Sequence, residues 1–172
     1  PAAATSSATP PTLLIVDDTP SARLVLRSFF APTCHVLEAA TGEEALRLAA
    51  TEPVDLVLLD VVLPDLDGLT VARRIRALHP EAVLPILLVT AFVDRAQRLA
   101  GLEAGVDDFL AKPVDLGELE LRVRGFLRSR ALWMEREALR RALLETDAKK
   151  DELAAILVHD LRNPLAGLLA NL

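Results

Sequence analysis

The chain has 172 residues, of which 52% are hydrophobic and 26% charged, with a net charge of −6. That length holds one ordinary domain plus an extension, and that composition buries a core, which excludes a disordered chain. The acidic balance disfavours a general nucleic-acid binder, the single cysteine excludes an internal disulfide or a cysteine zinc site, and no apolar run reaches the roughly 18–20 residues of a membrane span. With no visible signal peptide and no initiator Met, the expectation is a cytoplasmic protein cut from a longer chain. Cys34 reads as a small buried hydrophobe.

Residues 1–11 are small, polar or Pro and predict a disordered lead-in. Thr12 to Val16 is an apolar run that ends in two carboxylates, Asp17 and Asp18. Pro20 suits a first helical turn, and Leu24, Val25, Leu26, Phe29 and Phe30 give that helix a broad apolar face. Cys34 to Leu37 is a weaker strand. Thr41 is a good N-cap for a second helix, with Glu43 and Glu44 in its first turn, and Pro53 ends it. Asp55 to Asp60 is a strand whose run from Leu56 to Leu59, apolar on both faces, delivers a single carboxylate, Asp60, at the exit. A charge inside such a strand would be costly, so Asp60 belongs at the carboxyl edge of the sheet. Asp67 caps a third helix, which His79-Pro80 stops. Leu84 to Val89 is a fourth strand, ending in Thr90. Asp94 opens a fourth helix, which Gly101 and Gly105 close. Phe109 to Ala111 is a short fifth strand, followed by Lys112-Pro113, and a fifth helix opens near Asp115.

Five strands alternating with helices predict an α/β fold, a doubly wound parallel sheet in the order 2-1-3-4-5 with helices on both faces. The domain is expected over 12–128, a helical linker over 129–152 and a further segment over 153–172. No Pro or Gly interrupts residues 126–163. Steps of four and three from Leu132 give Arg136, Leu139, Leu143, Thr146, Lys150, Leu153 and Leu157. Five of these eight positions are apolar, a flawed heptad that suggests a parallel coiled coil and a homodimer.

In a doubly wound sheet the ends of strands one, three, four and five share one edge. Asp17, Asp18 and Asp60 would repel each other there unless a hard divalent cation sits among them, and oxygen ligands with an incomplete protein shell suit Mg2+. Lys112 adds an ammonium and Thr90 a hydroxyl. These are the parts that stabilise a phosphoryl group in transfer, with Asp60 as the nucleophile.

The segments LLIVDD, LVLLDVVLPDLDG, LLVTA and DDFLAKPV resemble the receiver domain of two-component response regulators, over residues 12 to about 128. The resemblance implies the flavodoxin-like receiver fold, Asp60 as phosphoacceptor, Asp17 and Asp18 as Mg2+ ligands, and Thr90 and Lys112 in contact with the phosphoryl group. It further implies the backbone carbonyl of Val62 as a metal ligand and Phe109 as the aromatic switch. Val62 and Phe92 are apolar where many relatives carry polar groups that tune water's approach, which predicts slow loss of phosphate.

Near the C-terminus, ILVHDLRNPLAGLLANL resembles the H-box of histidine-kinase dimerisation domains. It implies His159 as a second phosphoacceptor, assisted by Asp160 and Asn163, with Pro164 kinking or breaking the helix. No Gly-rich phosphate loop is present, so ATP belongs to a kinase domain outside this chain, and the chain itself should not autophosphorylate. The expected function is a receiver that regulates, through the helix, a histidine kinase. Its partners would be an upstream phosphodonor histidine kinase or phosphotransfer protein and a downstream receiver. The alternatives are a dimerising scaffold whose receiver is never phosphorylated, and an intramolecular relay from His159 to Asp60.

Overall fold

The structure, a computed structural model, describes residues 9–79, 84–91 and 95–169, and of these the backbone alone for 95–98, 148 and 151–169. Strands β1 (Thr12–Val16), β2 (His35–Ala39), β3 (Leu56–Asp60), β4 (Ile86–Thr90) and β5 (Asp108–Ala111) alternate with helices α1 (Pro20–Phe30), α2 (Gly42–Thr51), α3 (Gly68–Leu78), α4 (Arg95–Glu103) and α5 (Leu116–Leu169). The sheet has the order β2-β1-β3-β4-β5 with every pairing parallel, as the alternation predicted.

The apolar runs of β1 and β3 are buried at all five positions because both faces are covered. Leu14, Val16, Val57 and Leu59 face the layer that holds Val71, Ala72 and Ile75 of α3. Leu13, Ile15, Leu56 and Leu58 face Leu26 and Phe30 of α1 and Leu119 and Val123 of α5. Each such side chain contributes roughly 1.5–3 kcal/mol on leaving water, so the two cores pin the register that brings the strand ends level. Cys34 is buried in the second core, and burial pushes its thiol up from the ordinary value.

Several sequence expectations shift. Strand β2 begins at His35, one residue later than expected, and β4 begins at Ile86, after Pro85. Asp67 holds the N-cap position of α3, but its side chain makes no capping bond. Thr41 does cap α2, accepting from Glu44 N at 3.2 Å. Gly101 does not close α4, which runs through it to Glu103, whereas Gly105 follows with φ +81°, the left-handed conformation a glycine tolerates. Pro164 does not break α5, whose helical span reaches Leu169. The lead-in up to residue 8, Pro80, Phe92, Asp94 and the last three residues lie outside the described residues.

The chain forms two compact units, one ending at Arg130 and the other starting at Ala131. In the first, Arg130 Nε reaches Asp55 Oδ1 at 3.0 Å and Nη2 reaches Val54 O at 3.1 Å, which ties α5 to the start of β3. In the second, Leu132, Met134, Leu139, Leu143 and Leu144 are exposed, and Glu137 pairs with Arg140 and Arg141 on its own helix. Among the described residues, no helix is long and apolar enough to cross a membrane.

Candidate functional site

The level strand ends place five polar side chains at one edge of the sheet. Asp17, Asp60 and Thr90 are buried, with 5%, 6% and 5% of their surface exposed, while Asp18 is exposed. Ligand oxygens of Asp17, Asp18 and Asp60 lie within 4.8 Å of one another. Lys112 Nζ lies 2.6 Å from Asp60 Oδ2 and 3.0 Å from Asp17 Oδ2, so one ammonium bridges the two buried carboxylates. Burial opposes the charge on Lys112, but the bonds and the field from Asp60 and Asp17 outweigh it and hold the ammonium above its ordinary value.

Each group has a local reason for its place. Lys112 N donates to Thr90 O at 2.7 Å, continuing the β4–β5 ladder one step beyond the strands and aiming the lysine back over Asp60. Asp17 Oδ1 accepts from Thr19 N at 2.8 Å, and Arg23 donates to the Asp17 carbonyl at 2.6 Å. Asp60 Oδ1 accepts from Val62 N at 3.3 Å. Val62 also bridges to Asp67, and the residue is 69% exposed. A cavity of about 520 Å3 opens beside Asp60 and Lys112, lined toward α1 and α5 by Val25, Leu26, Pro113 and Leu116.

The cluster suits a divalent cation. Three carboxylates against one ammonium leave two uncompensated negative charges, and the donors are hard oxygens. Lys112→Met is expected to destabilise the metal-free protein by about 1–3 kcal/mol, since it strands two buried like charges at a partly open site. Urea unfolding with and without Mg2+ checks this. Mg2+ should recover more stability in the variant than in the parent.

Phe109, expected as the switch, is half-buried, and its ring lies against Gly101 of α4. A Cβ on Gly101 would stand 2.3 Å from Phe109 Cζ, which is why a glycine sits inside that helix. Gly101→Ala is expected to cost about 1–3 kcal/mol by overpacking, and the added change Phe109→Leu should recover part of it in a double-mutant cycle of unfolding midpoints.

The structure brings together Asp17, Asp18, Asp60, Thr90 and Lys112, as the strand order required. His159, Asp160 and Asn163 belong to α5 in the second unit, and their side chains lie outside what is described. Sequence reasoning missed Arg23, Thr19 and Asp65. The first two follow the Asp17-Asp18 pair within one helical turn, a local signal that was available. Asp65 makes its bonds to residues more than 20 positions away and gave no such signal.

The model of the response regulator receiver domain matches residues 13–124, which run from the second residue of β1 past β5 and contain all five of these groups. The chain belongs to the response regulator receiver family. Response regulator MprA of Mycolicibacterium vanbaalenii is 44% identical over 120 residues, 69% of this chain and 51% of that protein. The transcriptional regulatory protein AfsQ1 of Streptomyces coelicolor is 41% identical over 119 residues, 69% of this chain and 52% of that protein. The chain spans about half the length of the curated relatives it matches. Among solved structures, the BeF3-activated receiver domain of DrrB, from Thermotoga maritima, superposes with a TM-score of 0.64 at 32% identity, over 70% of this chain and 99% of that one. A CheY-like receiver domain protein from Methanospirillum hungatei gives 0.66 at 27% identity, over 72% and 98%. Membership of this family implies phosphorylation on an aspartate, donated by a histidine kinase or phosphotransfer protein.

Proposed function

We propose that this receiver accepts its phosphoryl group on Asp60 and passes the resulting change along α5 to a histidine-kinase core whose phosphoacceptor is His159. The observation that carries the first half is the Lys112 ammonium shared between Asp60 and Asp17, with Asp18 beside them. An Asp60 oxygen attacks the phosphorus of a phosphohistidine donor, and the P–N bond breaks with its electron pair leaving on the imidazole. The product is an acyl phosphate. Lys112 offsets charge on the phosphoryl oxygens, and Thr90, at the end of β4, supplies a hydroxyl to them. Asp17, Asp18, Asp60 and the Val62 carbonyl would hold Mg2+, which supplies charge neutralisation when bound.

The site tests this directly. Phosphoryl label from a histidine kinase or phosphoramidate should appear only with Mg2+ and should be released by hydroxylamine, as an acyl phosphate is. Metal-independent label, or label that resists hydroxylamine, overturns the assignment. Once formed, the phosphate should persist for minutes or longer, because the apolar Val62 stands exposed beside Asp60 and offers water no hydrogen bond. A half-life of seconds contradicts this.

The second half rests on the His159, Asp160 and Asn163 pattern and on the length of α5, 54 residues without a break. Its exposed positions Leu132, Leu139 and Leu143, interspersed with Arg136, Thr146 and Lys150, suit a parallel homodimer with a weakened seam, able to shift between two states. A second reading has the relatives in its favour. AfsQ1 is a transcriptional regulatory protein about twice as long as the segment it shares with this chain, which points to a nucleic-acid-binding output. Phosphate trapped on His159 when the parent protein is given ATP distinguishes the kinase output from the transcriptional one.

A further inference from the structure

The turn between β3 and α3 carries the immediate neighbours of Asp60 and closes on itself. Gly68 N donates to Val61 O at 2.8 Å, and Val62 bridges to Asp67. At its outer tip, Asp65 reaches a different element. Its Oδ1 accepts from Gly42 N at 2.8 Å and its Oδ2 from Glu43 N at 2.9 Å. One carboxylate thus takes two of the first N–H groups of α2, beside Thr41, which takes the N–H of Glu44. Bonds from N–H groups to an ionised acceptor at the positive end of a helix are of the stronger kind. Those from Glu43 and then Gly42 hold the Asp65 carboxyl below its ordinary value. The fit behind them is close, since a Cβ on Gly42 would stand 2.7 Å from Val71 and 2.9 Å from Leu66.

We propose that Asp65 is a positioning residue of the phosphoacceptor site, clamping the β3–α3 turn onto α2 so that the backbone following Asp60 is held ready for the cation. This rests on the reading of Asp60 as a Mg2+-assisted phosphoacceptor. Asp65 acts only through the turn. Without the clamp the turn spends less time in the binding-competent form, and the apparent affinity for Mg2+ falls in proportion to that fraction.

The test is calorimetric titration of Mg2+ into the full chain. Asp65→Ala should raise the Kd by more than two-fold and at most about five-fold, the full scale of losing a helix cap, and Asp65→Asn should fall between it and the parent because an amide keeps one acceptor oxygen. Two variants separate this from simpler effects. Thr41→Ala weakens the cap of α2 without touching Asp65, and Glu43→Gln removes one exposed negative charge nearby; both should leave the Kd within about two-fold. An unchanged Kd in Asp65→Ala overturns the proposal. So does Thr41→Ala matching Asp65→Ala, which would make helix stability the cause, or Glu43→Gln matching it, which would make it charge alone. If the parent chain binds no Mg2+, the phosphoacceptor reading itself fails, a result distinct from parent binding that Asp65→Ala leaves intact.

Discussion

Asp60→Asn is expected to abolish phosphoryl labelling, by about a thousand-fold or more, the scale of removing a covalent nucleophile, while leaving the domain as stable as the parent to within about 1 kcal/mol. The two halves of this expectation have separate causes. An amide is no nucleophile toward phosphorus, and no second carboxylate can replace Asp60. Asp17 holds Thr19 N at 2.8 Å and faces the same lysine from another strand, and Asp18 is exposed. Stability is governed by a balance. Asp60 attracts Lys112 at 2.6 Å and repels Asp17, whose ligand oxygen lies within 4.8 Å. At an effective dielectric constant near 20, unit charges about 4 Å apart interact by roughly 4 kcal/mol, so deleting one charge removes an attraction and a repulsion of similar size. The Lys112–Asp17 bond at 3.0 Å survives. Affinity for Mg2+ should weaken as well, because one of three carboxylates is gone. Phosphoryl transfer assays and urea midpoints measured on the same preparation check both halves. Labelling of Asp60→Asn at the parent rate would sink the assignment, and a large fall in midpoint would show that the lost label came from unfolding.

The parts of this molecule legible in its sequence are those whose cause is local or periodic. Strands β1 and β3 are buried at every position, and a run of apolar residues on both faces announces that. The site was legible for the same reason. A carboxylate at the end of such a run can only stand at the sheet's edge, and the order β2-β1-β3-β4-β5 then makes Asp17, Asp18 and Asp60 neighbours. Strand β2 was placed one residue early at its start and two short at its end because it lies at the edge of the sheet, is only partly buried over most of its length, and carries no strong pattern. Gly101 read as a helix stop on propensity alone, but the ring of Phe109, eight residues on, demands a residue without a Cβ at that point of α4. Asp67 read as a capping side chain, yet its contribution is the backbone bridge to Val62. Asp65 was invisible, since its partners Gly42 and Glu43 precede it by 23 and 22 residues and become neighbours only after the sheet has formed.

Gly68→Ala is the second large effect expected, and its sign is the informative part. Gly68 opens α3, and within a helix alanine is ordinarily favoured over glycine, by about 0.5–1 kcal/mol at a middle position. Here the reverse is expected, a loss of roughly 2–4 kcal/mol. A Cβ at this position would stand 2.3 Å from the carbonyl oxygen of Asp60, 2.8 Å from Val61 Cα and 3.1 Å from the Asp60 carbonyl carbon. All three are backbone atoms, so no side chain can swing aside. The contrast is with Gly101, where the obstructing atoms belong to the ring of Phe109. Relief at Gly68 has two routes. Helix α3 can withdraw, exposing Val71, Ala72 and Ile75, each 0% exposed, or the turn can shift and carry the backbone of Asp60 with it. The routes differ at the site. Withdrawal of α3 lowers the unfolding midpoint and spares affinity for Mg2+, whereas movement of the turn lowers both. Val71, Ala72 and Ile75 sit in the larger of the two cores, while Val62 is exposed and Asp60 Oδ1 is held by Val62 N at 3.3 Å. The turn is therefore the softer partner, and Gly68→Ala should weaken Mg2+ binding along with stability. A variant as stable as the parent, or more so, would mean that the close approach of α3 to Asp60 does not exist in solution.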